Sequence, residues 1–250
     1  MLLLSAPAHV LAQQSAWVAN DDEIITDRPD VAESPRTVGA KRFQVEAGVD
    51  VAGVTGESQL FAPTKLRAGI NGWTELHLES DVLSWRSQEG AASVLGRADL
   101  DVGIKVQLPT LPYDVVAGVL IALTLPVGAD GTSDEAWLVS PTLALDVPLS
   151  TRFALGVNLG VTSAPGQTQE HVVRWAAAIG WDASALYEDL GLYMEAFGER
   201  AFDSDAQASL LLDGGFAFCI TPWLQLDAYA RVGALNADEL GFGTGVSFKL

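Results

Sequence analysis

The chain has 250 residues and a net charge of −18, with 32 Asp and Glu against 14 Lys and Arg, yet 49% of it is hydrophobic and its mean hydropathy is positive. That balance excludes a disordered acidic chain, and the lack of clustered Lys and Arg excludes a nucleic-acid partner. Cys219 has no second cysteine to pair with, so neither an internal disulfide nor a cysteine metal site is expected.

Residues 1–12 read as a clipped export signal. An apolar run opens at Leu2 to Leu4, and Val10-Leu11-Ala12 places small residues ahead of Gln13, although the basic leading region is missing. Residues 13–41 form a polar leader, charged and interrupted by Pro29 and Pro35, which fits a periplasmic tail as well as a plug inside a lumen. No run of about 18 apolar residues follows, so no transmembrane helix is expected. The longest apolar run, 115–127, is too short to span as a helix.

From residue 42 to 250 the dominant signal is period two. In the first strand Phe43, Val45, Ala47, Val49 and Val51 alternate with Gln44, Glu46, Gly48 and Asp50. The second sets Leu66, Ala68 and Ile70 against Lys65, Arg67 and Gly69, and the third sets Leu76, Leu78 and Val82 against Glu75, His77, Glu79 and Asp81. In the fourth, Ala98, Leu100, Val102, Ile104 and Val106 oppose Arg97, Asp99, Asp101, Gly103 and Lys105. Later segments repeat the pattern, with Leu155, Val157 and Leu159 opposing Asn158, and Leu224, Leu226 and Ala228 opposing Gln225, Asp227 and Tyr229.

A soluble sandwich buries its apolar faces between two sheets, whereas a membrane barrel turns them to lipid and keeps charge in the lumen. Connection lengths favour the barrel: long links at 52–58, 84–95, 128–136, 163–171, 199–205 and 234–238 mostly alternate with short ones at 71–72, 109–112, 148–150 and 221–222, with 182–189 the exception. The expected fold is all-β: a transmembrane antiparallel up-and-down β-barrel of about 12 strands with both termini periplasmic. Closure supplies every backbone hydrogen bond that hydrocarbon cannot. A Lys or Arg facing lipid at the midplane would cost roughly 2–4 kcal/mol, which explains the uncharged outer register. Trp73, Trp137, Trp181 and Trp223 stand at strand ends, as interfacial girdle residues do. Pro141, inside a strand, predicts a bulge or bend.

The stretch "TDRPDVAESP" followed closely by "RFQVEAGV" resembles the N-terminal signature of a family of bacterial outer-membrane transporters associated with the meta-cleavage pathway of phenol degradation. The resemblance extends more generically through "LYMEAFGE", "DGGFAFCITPWLQLDAYARVGALN" and "GFGTGVSF". It implies a bacterial outer-membrane channel or transporter for aromatic or other small hydrophobic solutes. Such barrels end in an aromatic residue read by the barrel-assembly machinery, whereas this sequence ends Phe248-Lys249-Leu250.

The inward register carries Arg42, Lys65, Arg67, Arg97, Lys105, Arg152, Arg174 and Arg231 with Glu46, Glu75, Glu79, Asp81, Asp99, Asp101, Glu195 and Asp227. Such a lining is either a polarised eyelet that selects solutes or a salt-bridged filling of a narrow barrel. Val116, Leu120, Tyr193, Phe197 and Tyr229 fall on the same register and offer either an apolar solute path or packing for an inserted segment. In the leader, Asp27, Arg28, Asp30 and Glu33 are candidates for pairing with the charged wall.

Enzyme chemistry is not expected. His77 and His171 have no Ser two residues away, and the Glu75, His77, Glu79 face reads as an ion-pair network rather than a metal site. Gly241-Phe-Gly-Thr-Gly lacks the following helix of a nucleotide loop. Neither metal nor cofactor is expected. Acidic residues gather in the leader (Asp21, Asp22, Glu23) and in the expected outer loops (Glu57, Glu89, Asp130, Asp134, Glu135, Glu170, Asp203, Asp205, Asp238, Glu239), where they are solvated or share cations with lipopolysaccharide. Lipid, lipopolysaccharide and a small solute are the expected partners. The second reading is a structural or adhesive barrel with a filled lumen and no transport.

Overall fold

The computed structural model describes residues 23–88, 90–165, 171–202 and 207–250. The export signal at 1–12, leader residues 13–22, and the loop acids Glu89, Glu170, Asp203 and Asp205 lie outside the described residues.

The chain forms β1 (Phe43–Val54), β2 (Glu57–Asn71), β3 (Thr74–Gln88), β4 (Val94–Gly96), β5 (Leu100–Gln107), β6 (Val116–Leu125), β7 (Leu138–Pro148), β8 (Phe153–Thr162), β9 (Val172–Asp182), β10 (Leu190–Ala201), β11 (Leu210–Thr221), β12 (Leu224–Leu235) and β13 (Glu239–Lys249). A 3₁₀ turn, Pro112–Asp114, precedes β6. Every pairing is antiparallel between neighbours. β1 closes on β13, β2 joins β3, and β4 and β5 both pair with β3 as two pieces of one stave. The thirteen segments therefore make a closed barrel of twelve staves. Closure leaves no sheet edge to be satisfied by solvent.

The alternation read from the sequence sets the two faces. On β1, Val49 and Val51 are exposed outward while Gln44 and Glu46 are fully buried inward. Outward Ile121, Met194, Phe216 and Phe242 continue the apolar belt around the ring, and Trp73, Trp137 and Trp223 are exposed near its two rims. Trp181 stacks on Phe153 and Trp223 meets Phe248 edge-on, both at the end where β1 begins and β13 finishes. There Phe43 and Leu250 exchange backbone hydrogen bonds.

Two expectations need correction. The first long link is a two-residue turn at Thr55-Gly56, because the β1–β13 ladder continues to Val54 opposite Glu239 and the β1–β2 ladder to Val54 opposite Glu57. Gly56 supplies the positive φ of +75° that this turn requires. Pro141 causes no bulge: its outward position leaves the β6–β7 register unbroken, and toward β8 the ladder resumes in register at Val139 opposite Ser163. The irregularity falls at Pro63 instead, where β3 runs one residue longer than β2 between Asp81 and Ser84. Val82 and Leu83 consequently both face outward, and Ser84 returns to the buried inner face.

Candidate functional site

Antiparallel register assembles the lumen wall. Glu46 lies opposite Lys65, Gln44 opposite Arg67, and Glu75 opposite Lys105, so β1, β2, β3 and β5 bring alternating charges to one level. Arg67, 0% exposed, donates through Nε and Nη2 to Glu75 at 2.9 and 3.1 Å and through Nη1 to Glu46 at 3.0 Å. A buried guanidinium needs this many acceptors to offset its lost hydration.

The leader fills the space these charges surround. Pro29 and Pro35 deny it a regular ladder, and its backbone groups are satisfied by wall side chains. The Ile25 carbonyl accepts from Gln44 and Arg67, each at 2.8 Å, and the Asp27 amide donates to Glu46 at 2.9 Å. The Val31 and Ala32 amides donate to the two Glu195 oxygens at 2.7 Å, and Glu33 exchanges two hydrogen bonds with the Asn158 amide group. The Val38 amide donates to Glu75 at 2.7 Å. Inward glycines let the segment lie flat: a Cβ on Gly118 would stand 2.6 Å from the Pro35 carbonyl oxygen, and one on Gly48 2.5 Å from the Arg28 guanidinium.

Charge joins plug to wall as well. Asp27 receives Lys105 at 2.9 Å, Lys65 at 3.1 Å and Arg67 at 3.4 Å. Burial alone would raise its pKa, but Arg67, Lys105 and Lys65 outweigh burial and hold the carboxyl well below its usual value. Glu33 pairs with Lys65 at 3.1 Å, Arg28 with Asp227 and Asp50 at 3.4 and 3.5 Å, and Arg36 with Asp146 at 3.7 Å. Asp30 has no such cation among the described residues: burial first, then Glu195 and Asp213 nearby, push its pKa well above the usual carboxylate value.

Glu46, Lys65, Arg67, Glu75 and Lys105 thus meet in one cluster around Asp27, with Glu79 on Lys65 at 3.2 Å. His77 is buried with its ring against Gly103. Arg231 pairs with Asp213 and Glu239 and lies over the Phe197 and Tyr229 rings. Val116, Leu120, Tyr193 and Tyr229 are buried inward, and Phe197 packs on Ala32, Ala176 and Ala178. Asp81 lies on the inner face and Asp101 lies opposite Glu79. Five residues stand apart. Arg97 and Asp99 hold the 126–134 loop at the end away from Phe43 and Leu250, through the Val127 carbonyl and the Gly128 and Asp134 amides. Arg42 and Arg152 sit at the opposite rim, engaged through their carbonyls by Gly69 and Asp182. Arg174 pairs with Glu199 at 3.1 Å in an exposed position.

Sequence reasoning did not single out the amides Gln44, Gln107, Asn158 and Gln225, which all bond the leader. Their signal was an uncharged polar residue on the inward register. Ser163 and His171, far apart in the strand pattern, share a 2.8 Å Oγ to Nδ1 hydrogen bond at the exposed rim.

Two cavities flank the plug. One of about 440 Å³ opens toward the far end, lined by Val31, Leu120, Phe197 and Leu211 with His77, Glu79 and Asp101. The other, about 330 Å³, lies along the leader beside Asp50, Lys65, Tyr229 and Arg231. Val31, Glu33 and Glu79 border both.

A closed twelve-stave barrel, apolar outside and charged within, defines a transmembrane β-barrel of the bacterial outer membrane. The family model described as "Putative MetA-pathway of phenol degradation" matches residues 26–250, and the chain belongs to that family. The fold is similar to the COG4313 outer membrane channel from Pseudomonas putida F1, with a TM-score of 0.65 at 12% identity over 86% of this chain and 97% of that one. It is also similar to the NanC porin (TM-score 0.61, 11% identity, 82% and 100% covered) and to the KdgM porin in complex with oligogalacturonate (0.58, 7%, 82% and 98%). Identities this low show shared architecture. No protein of curated function matches the sequence.

Proposed function

We propose that the protein is an outer-membrane channel or transporter for small solutes, aromatic or otherwise apolar in part, with the leader as its resident plug. The observation that carries this reading is a lumen filled by residues 23–41 from the rim where β1 begins up to mid-height, with cavities of about 440 and 330 Å³ left beside and beyond the blockage. The rim where β1 begins and β13 ends faces the periplasm, and the opposite rim, with the acidic 126–137 loop, faces lipopolysaccharide. Assembly in this orientation runs through the barrel-assembly machinery. The protein acts without catalysis or a cofactor, and the Ser163–His171 pair serves to tie the ends of β8 and β9 together.

The extensive pairing of plug and wall also favours a second reading, a structural or adhesive barrel whose lumen is permanently filled. Single-channel recording in planar bilayers, with the full chain and with residues 13–41 deleted, separates the two. The channel reading expects small conductance from the full chain and a clear increase on deletion; no conductance and no solute flux in either form leaves the structural barrel.

A further inference from the structure

Three wall cations converge on one carboxylate of the leader. Lys105, Lys65 and Arg67, all buried, approach Asp27 at 2.9, 3.1 and 3.4 Å. The wall itself supplies them unevenly with acceptors. Arg67 takes Glu46 and Glu75 at 3.0 and 2.9 Å, which leaves Lys65 with Glu79 at 3.2 Å and Lys105 with a longer contact to Glu75 at 3.6 Å. An ammonium has three N–H donors and no acceptor. Among the described residues, both lysines complete their shells on the leader, through Asp27 and Glu33.

The barrel therefore carries a formed carboxylate site whose occupant is a side chain of the same protein. Lys105 donates to both oxygens of that occupant, and a charge-assisted pair of this kind would hold a free carboxylate equally well. The site is also within reach of a solute. Asp27 and Lys65 both border the cavity of about 330 Å³, a volume in the range of small-molecule pockets, together with Pro29, Val31, Pro63 and Tyr229. A solute there meets Lys65 first and gains Lys105 and Arg67 by displacing Asp27.

We propose that Lys65, Arg67 and Lys105 form a binding site for a small organic carboxylate with an apolar body, an arylalkanoate in chemical class, and that Asp27 holds the site as a built-in competitor. The assignment deepens the channel reading by naming a solute class that loosens the plug as it binds. It rests on that reading only for how the solute arrives. A tethered group such as Asp27 acts at an effective concentration on the order of millimolar. A free acid therefore competes at millimolar concentration and binds far better once Asp27 is gone.

Calorimetric titration of the detergent-purified full chain and of Asp27→Ala with phenylacetate, 2-phenylethanol and 2-phenylethylamine tests it, since the probes share a ring and chain length and differ in charge. Phenylacetate is expected to bind Asp27→Ala saturably, at least tenfold more tightly than it binds the parent and at least tenfold more tightly than the alcohol binds the variant, with the amine weakest. Adding Lys105→Met to Asp27→Ala is expected to remove the preference for the acid. In the parent, millimolar phenylacetate is expected to speed protease cleavage of the leader, and the other two probes to leave it unchanged. Acid affinities within threefold between parent and Asp27→Ala, or three probes within threefold of one another on the variant, would overturn the site. If Asp27→Ala does not give a heat-modifiable barrel, cleavage of the parent decides, and equal rates with all three probes overturn it. Acid binding without conductance sinks the channel and keeps the site; conductance without acid preference does the reverse.

Discussion

Lys105 of β5 donates to both carboxylate oxygens of Asp27 at 2.9 Å, fastening the barrel wall to a leader residue 78 positions earlier in the chain. Lys65 and Arg67 converge on the same carboxylate. Removing one partner of a buried ion pair costs about 3 kcal/mol or more, equivalent to roughly a hundredfold in the docking equilibrium. Asp27→Asn is expected to raise the open probability in single-channel recordings. Open probability unchanged from the parent chain would show that the plug is held elsewhere.

Docking should weaken as pH rises above the ordinary aspartate range. Asp30 is buried among Glu195, Asp213 and Asp27, and its raised pKa means that the docked leader holds a proton more tightly than the free one. Its contribution is full below the ordinary aspartate value and is lost as pH rises through the raised one. Asp27 runs the other way: its lowered pKa gives a contribution present above the ordinary value, which fades only as pH falls through the lowered one. Proteolysis of the leader, followed against pH, should therefore accelerate toward high pH and flatten in Asp30→Asn. A rate that climbs on acidification instead would contradict the assignment.

Gly118 offers a way to dislodge the plug without touching a charge. A methyl group there meets the Pro35 backbone at 2.6 to 2.9 Å, whereas one at Gly72 meets nothing within 4 Å. Gly118→Ala should increase conductance while Gly72→Ala leaves it alone. Equal conductance in the two variants would mean that the leader shifts at no cost.

The outer face gives a prediction about stability. Ile121 stands at the middle of β6, 46% exposed on the lipid side. Ile121→Arg should lower the free energy of unfolding in vesicles by roughly 2–4 kcal/mol, read as a shift in the denaturant midpoint. Tyr113→Arg, in a 92% exposed turn, should leave the midpoint in place. Matching midpoints for the two would argue against lipid contact at Ile121.

The barrel was legible because lipid enforces a strict rule on alternate residues. Lys65, Glu75 and Lys105 could be assigned to the lumen from parity alone, and the structure places them there. Strand length was less legible: 52–58 reads as a loop from its Gly and Ser, yet β1 and β2 run on to Thr55-Gly56 because ladder partners continue beyond the apolar belt. Pro141 and Pro63 look alike in sequence, and only the ladder shows which of them accompanies a bulge. The contacts of the leader were hidden for another reason. An irregular segment has no period, so nothing in its own sequence says that Val31 and Ala32 will meet Glu195. The complementary clue lay in the wall, in Gly48, Gly118 and Gly245, where the inner register leaves room for another backbone or guanidinium.

The beginning of the leader crosses the junction where the two ends of the chain meet. Lys249 of β13 holds the Glu23 carbonyl, Gln44 of β1 holds that of Ile25, and Gln225 of β12 holds the Thr26 hydroxyl. Three adjoining staves are thus stitched from inside across the one seam that cannot zip until synthesis has delivered both the first strand and the last. The segment that blocks the passage also acts as a clasp on the ring, so weakening it acts on how the cylinder is sealed as well as on what passes through.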